Sequence, residues 1–197
     1  MIDVLIGFFL ATLITQAFTT RLFRLIFWYA LNSLFLGLIA FYEGIIVNDD
    51  EMKIIGIVTI AVKFFAIPYI LKYFFAKFNI PRNIKPITSI QYLVIIIPII
   101  LVFTFYLITP LLNNFAHHSN YIAIAISSLM LSLLLMIEHK NIAAKIIGFL
   151  DIENSLFLLG ISATGGMPML IEIGIFVDLL MLIVIINILF KHQGEAQ

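Results

Sequence analysis

Apolar positions in this chain do not alternate with polar ones at the strand period or at the amphipathic-helix period. They form near-continuous blocks of roughly twenty residues, parted by short polar stretches. The blocks predict helices over residues 2–19, 25–46, 54–75, 92–112, 121–137 and 142–161, and a seventh that opens at Pro168 and is ended by Lys191. At ~1.5 Å per residue each is about long enough to cross ~30 Å of hydrocarbon. The expected fold is therefore all-α and integral to a membrane, with seven spans. Proline fits this plan: Pro168 stands in a first turn, where a missing N–H costs least, and Pro81 and Pro86 break the third connection. Pro98 and Pro110 fall inside the fourth span, which a membrane helix tolerates better than a soluble one.

Composition agrees, since 63% hydrophobic and 11% charged residues with a mean hydropathy of +1.17 do not describe a soluble globular domain. A formal net charge of zero gives no reason to expect nucleic acid. The chain has no cysteine, which excludes disulfides and any thiolate-held iron–sulfur or nickel site, so redox chemistry would have to lie on another chain. There is no P-loop, dinucleotide fingerprint or nucleophile–base–acid arrangement, so no active site of its own is expected.

Charge is informative by position. The first, third and fifth connections and the tail hold Arg21, Arg24, Lys77, Arg82, Lys85, Lys140 and Lys191, whereas the opposite connections hold Lys53 beside three acids. The positive-inside rule then puts the N-terminus outside and the C-terminus in the cytoplasm. A parallel internal repeat is also expected. The string NSLFL occurs at 32–36 and again at 154–158, four spans apart, and Lys63 and Asp178 occupy similar frames in the helix after each copy. The repeat divides the chain into a three-helix unit over 1–90, a connecting span over 91–120 and a second three-helix unit over 121–197.

A charge near the bilayer centre costs at least ~2.5 kcal/mol, so ionisable residues inside spans call for an explanation. Glu153 and Asp178 each fall about eleven residues into a span, and Lys63 about ten into the third, which puts all of them near the midplane. Desolvation favours the neutral form of each, so their protonation can change during function, as a proton relay requires. The alternative is a buried ion pair between Lys63 and an acid that fixes helix register. Asp151 and Asn154 share one helix face while Glu153 is about 200° round from Asp151, and one of these polar sides is expected to meet a partner subunit. Asn32 belongs to the same set through the repeat. Glu172, near the outer end of its span, is read equally as functional and as a boundary anchor, and Glu43, nearer an edge still, as a boundary residue. His117 and His118 read as a solvated loop.

The stretches GFLDIENSLFL at 148–158 and GMPMLIEIGIFVD at 166–178 resemble the C-terminal signature of the hydrogenase-4 component E family, with Glu153-Asn154-Ser155 where that family's pattern reads ENG. The Lys63-x-x-x-x-Pro68 stretch resembles the family as well. The resemblance implies a multi-pass subunit in the cell membrane of a prokaryote, within a nickel–iron hydrogenase or formate hydrogenlyase-type complex. Its last three helices would resemble the small three-helix subunit of complex I and of multisubunit Na+/H+ antiporters. Glu153 would match the mid-membrane glutamate of that subunit's second helix, and Glu172 or Asp178 the acid of its third. Antiporter-like membrane subunits and redox-arm subunits are the implied partners, and the nickel–iron centre and iron–sulfur clusters are implied to lie on those partners.

Overall fold

The computed structural model describes residues 1–77, 80–84, 86, 87, 89–112 and 119–164. Among them the chain is helical: α1 (Ile2–Ala17), α2 (Leu22–Val47), α3 (Asp50–Thr59), a π-helical segment (Ile60–Ala66), α4 (Ile67–Lys77), α5 (Ile90–Leu112), α6 (Ser119–Glu138) and α7 (Ile142–Thr164). The segments from Asp50 to Lys77 form one continuous span. Among the described residues five helices are long and apolar enough to cross a membrane. The 16 residues of α1 reach about 24 Å, somewhat less than the hydrocarbon thickness. The predicted seventh helix, with Glu172, Asp178 and Lys191, lies outside the described residues, as do Lys85, His117 and His118.

Local chemistry sets the element ends. Asn48 stops α2 in the left-handed region at φ 56°, a conformation asparagine tolerates better than most residues, and its N–H returns to the carbonyls of Gly44 and Ile45. Asp49 then caps α3 by accepting from the backbone N–H groups of Glu51 at 3.0 Å and Met52 at 3.5 Å. Asp50 and Glu51 occupy the first turn, where the helix dipole favours negative charge. The acidic 48–51 turn is thus a cap, and it starts the third span four residues before the apolar block does. The resulting hairpin is tight: a Cβ on Gly56 would come within 2.6 Å of the Phe41 backbone nitrogen, so only glycine allows this approach.

Buried side chains fall in layers that fix the directions of the helices. One apolar layer joins Ala17 at the end of α1, Leu22, Leu25 and Ile26 at the start of α2, Leu71 and Phe75 in α4, Leu93 and Ile97 in α5, Leu131 and Leu135 in α6, and Ala143 to Leu150 in α7. A second joins Ile6, Phe9 and Leu13 of α1 to Leu36 and Ile39 of α2, Ala125 of α6 and Leu158 of α7. Successive spans therefore alternate in direction, and α2 and α7 run the same way. Backbone bonds staple the loops at the first layer's end: Leu22 N–H to the Arg82 carbonyl at 2.9 Å, Ile84 N–H to Thr20 at 2.8 Å and Ile87 N–H to Glu138 at 2.7 Å. The first, third and fifth connections, which carry the basic residues, thus meet at one end. The second, acidic connection lies at the other, where the Tyr121 hydroxyl donates to Asp3 at 2.8 Å. Around the outside, α5 turns Val102, Phe103 and Tyr106 outward, the last 78% exposed. An apolar surface of this kind suits hydrocarbon and not water.

Candidate functional site

Between the two apolar layers lies a polar layer, and its position begins with proline. Pro68 has no N–H to donate to the carbonyl of Phe64, and in a regular α-turn its ring would crowd that carbonyl. The chain widens instead into the π-helical segment, closed by Ile67 N–H bonding to the Val62 carbonyl, five residues back. Lys63, within this segment, is buried at 2% exposure while Phe65 is 63% exposed. The Lys63-x-x-x-x-Pro68 spacing thus has a local physical role, since the proline stabilises the wide turn that carries the lysine.

Lys63 Nζ donates to Glu153 Oε1 at 3.0 Å and to Asn154 Oδ1 at 3.1 Å, both on α7, and lies 6.0 Å from the centre of the Phe157 ring. An ammonium group can only donate, so it fixes which end of the Asn154 amide faces it. The Asn154 amide nitrogen then donates to Asn32 Oδ1 and to Ser33 Oγ, each at 3.0 Å. The Asn32 nitrogen in turn donates to the Phe9 carbonyl at 3.1 Å and to Thr12 Oγ1 at 3.0 Å. The donors all run in the sense required by the lysine at one end and by the acceptor-only Phe9 carbonyl at the other, and the series ties α1, α2, the π segment and α7 together. The two NSLFL strings meet in it, through Asn32 and Asn154.

A second branch leaves α7 one turn nearer the basic end. Asp151 Oδ1 accepts from Gln16 Nε2 at 3.2 Å, with both residues fully buried. Asp151 Oδ2 and Gln16 Oε1 have no hydrogen-bond partner among the described residues. Next to this pair, Ser155 Oγ donates to the Asp151 carbonyl at 2.9 Å and lies 3.3 Å from Ser132 Oγ on α6. A buried acceptor without a donor costs a few kcal/mol.

The structure brings together Lys63, Glu153, Asn154, Asn32 and Asp151, residues to which the sequence directs attention. It departs from expectation over α7, whose two polar sides are both covered by this chain's own helices, Asp151 by α1, Asn154 by α2 and Glu153 by the π segment. The reason is position: α7 is the most buried of the membrane-length helices among the described residues, so faces about 200° apart both point inward. Glu43 is not in the layer. It is half-buried near the acidic end of α2, lining a small cavity with Ile2, Ile6, Ile39, Tyr121, Ile161 and Ser162. Sequence reasoning missed Gln16, Thr12, Ser33, Ser132 and Ser155. The available signal was Thr12 and Gln16 four residues apart in an apolar helix, and the serines of α6 at the same spacing. Among the described residues no group of three or more histidine and acidic side chains could hold a metal ion.

No family profile matches the chain, and no solved structure matches it. It is similar to "Uncharacterized protein Rv0085" of Mycobacterium tuberculosis (strain ATCC 25618 / H37Rv), with 22% identity over 156 residues, which is 78% of this chain and 71% of that protein.

Proposed function

We propose that the chain is a multi-pass membrane subunit with no active site of its own, whose buried lysine and acids couple movement of H+ or Na+ to electron transfer. Its host would be a nickel–iron hydrogenase or formate hydrogenlyase-type, complex I-like assembly. The observation that carries this reading is the Lys63–Glu153 ion pair at 3.0 Å, held between two apolar layers in the middle of a bundle suited to a membrane. A pair placed there loses its hydration, and removing either charge exposes the other to that loss. At an effective dielectric of ~20, two unit charges ~8 Å apart still interact by about 2 kcal/mol, more than one pK unit. A change of charge on a neighbouring subunit therefore shifts the protonation of Glu153, Lys63 or Asp151 without contact. The apolar layers on both sides close the polar layer in this arrangement, so it acts as a relay station and not as an open channel.

The finer topology belongs to the same proposal: seven spans, the N-terminus outside, the basic end cytoplasmic, and three-helix units over 1–90 and 121–197 joined by the span within 91–120. Glu172 and Asp178 would continue the relay in the last helix. The nickel–iron centre and iron–sulfur clusters would be held by partner subunits, since this chain has no cysteine. A second reading, an independent secondary cation/H+ transporter built from a duplicated unit, is favoured by the direct contact of the two NSLFL strings through Asn32 and Asn154 at 3.0 Å.

Capture of the chain from native membranes in mild detergent, followed by mass spectrometry, separates the two. Co-purification with antiporter-like subunits and a nickel- or iron–sulfur-bearing arm is expected, and Glu153→Gln should then reduce ion translocation while leaving the complex assembled. Recovery of the chain alone, intact and monodisperse, would refute the coupling-subunit reading.

A further inference from the structure

The basic end of the bundle carries a feature that the relay does not use. Arg21 and Arg24, at the start of α2, line one groove together with Phe23 and with Arg82 and Asn83 of the third connection. The groove is a built one. Arg21 and Asn83 form an antiparallel bridge, and the backbone bonds Leu22 N–H to Arg82 and Ile84 N–H to Thr20 clamp the two connections. The Arg82 guanidinium lies over the Phe23 ring at 5.6 Å, a cation–π contact that holds it at the groove's edge. Three guanidinium groups from two distant parts of the sequence thus line one groove, and among the described residues none forms an ion pair with an acid. Three like charges gathered without a counter-ion repel one another, and an anion would reverse that cost.

A second groove adjoins the first and shares Phe23 and Arg82 with it. Its other walls are Leu22, Phe75, Ala76, Ile80 and Pro81, and because Leu22 and Phe75 are buried it opens mostly onto polar atoms. The volumes are about 370 and 300 Å³, each within the ~300–1,000 Å³ usual for ligand sites. Phe23 is 36% exposed and Phe27, one turn along α2, is 52% exposed, so the two rings carry an apolar strip from the arginines toward mid-helix. A site that is cationic at the loop end of a helix and apolar from there toward mid-helix matches a molecule with a phosphate at one end and a hydrocarbon chain at the other.

We infer that Arg21, Arg24, Arg82 and Asn83 bind the phosphate headgroup of an anionic phospholipid whose acyl chain lies along α2 against the exposed rings of Phe23 and Phe27. The inference needs the bundle to lie in a membrane, but it does not need the ion-coupling reading. Guanidinium groups suit phosphate through paired N–H donors, and basic pockets between membrane helices are established places for such headgroups.

The test is native mass spectrometry of the full chain from micelles doped with equal amounts of dioleoylphosphatidylglycerol and dioleoylphosphatidylcholine. Preferential retention of the phosphatidylglycerol is expected, falling about fivefold for Arg24→Gln alone and disappearing when Arg21, Arg24 and Arg82 are all glutamine. Should the triple variant fail to fold, Arg24→Gln still decides, because that side chain is exposed. Lys140→Gln with Lys145→Gln, at the same end but outside the groove, should leave the preference unchanged. Equal retention of the two lipids, or an equal loss in the lysine control, would overturn the inference. So would complete displacement of the lipid by inorganic phosphate, which would identify a simple anion site. None of these outcomes bears on co-purification with redox subunits, so this inference and the relay can fail separately.

Discussion

Replacing Lys63 by methionine and Glu153 by leucine, singly and together, separates a coupled ion pair from two independently buried groups. At the observed 3.0 Å and an effective dielectric of ~20, the direct Coulomb attraction is about 5.5 kcal/mol. Much of that only offsets desolvation, so the meaningful quantity is what remains when one partner is lost. Lys63→Met leaves Glu153 charged or forces it to take up a proton, and also removes the donor to Asn154 Oδ1, so a loss of about 3–5 kcal/mol is expected. Glu153→Leu leaves the ammonium with Asn154 as an acceptor, which retains one charged hydrogen bond worth roughly 1.5–3 kcal/mol, so its cost should fall nearer 2–3 kcal/mol. The double variant removes both charges and should cost less than the two singles added, by about 2 kcal/mol or more. Unfolding of the purified chain in mixed micelles, titrated with sodium dodecyl sulfate and followed by far-ultraviolet circular dichroism, supplies all three free energies. Additive effects within ~0.5 kcal/mol would refute the reasoning, because they would mean that neither charge depends on the other.

Two further outcomes follow from the geometry. Pro68→Ala restores an N–H that can pair with Phe64, so the π segment should tighten to a regular α-turn and rotate Lys63 away from α7, and the Lys63–Glu153 coupling energy measured in that background should fall below about 0.5 kcal/mol. For orientation, the chain's lack of cysteine provides a clean background: Asn48→Cys should be labelled by an impermeant maleimide in intact cells and Lys140→Cys only after lysis, and the reverse pattern would invert the topology.

Much of the polar layer was legible because apolar spans make polar residues conspicuous. Lys63, Glu153, Asp151, Asn154 and Asn32 each stand in a run of aliphatic and aromatic neighbours, where an unpaired polar group is costly. What was not legible was the choice of partner. Glu153 and Asp151 are two residues apart on one helix, and only the packing of α7 against both α1 and the π segment decides that the first meets Lys63 and the second Gln16. The serines were hidden for a different reason: Ser127, Ser128 and Ser132 each donate to the carbonyl four residues back, a habit that lets serine occupy an apolar helix without signalling a site. The two-sided polarity of α7 was visible in sequence but pointed outward to another subunit, because spacing along a helix carries no record of how many neighbours surround it. The widened turn at Lys63 was announced only by Pro68, a residue equally compatible with a simple kink.

The amide series from Lys63 has a consequence for how a proton's departure could be felt at a distance. A charged lysine sets every bond in one sense: Asn154 presents oxygen to it and nitrogen to Asn32, and Asn32 presents nitrogen to the Phe9 carbonyl. A neutral amine has a lone pair and accepts as well as donates, so at that end the requirement lapses. The Phe9 carbonyl can only accept, and it holds the Asn32 nitrogen, and through it the Asn154 amide, in the same sense from the other end. The series is thus anchored by a cation in the third span and by a carbonyl in the first, and loss of the lysine's proton would leave its heading in place while turning its first link from a charged bond into a weaker neutral one. A proton leaving the third span would be felt along the series as slack at one end, with no side chain turned round.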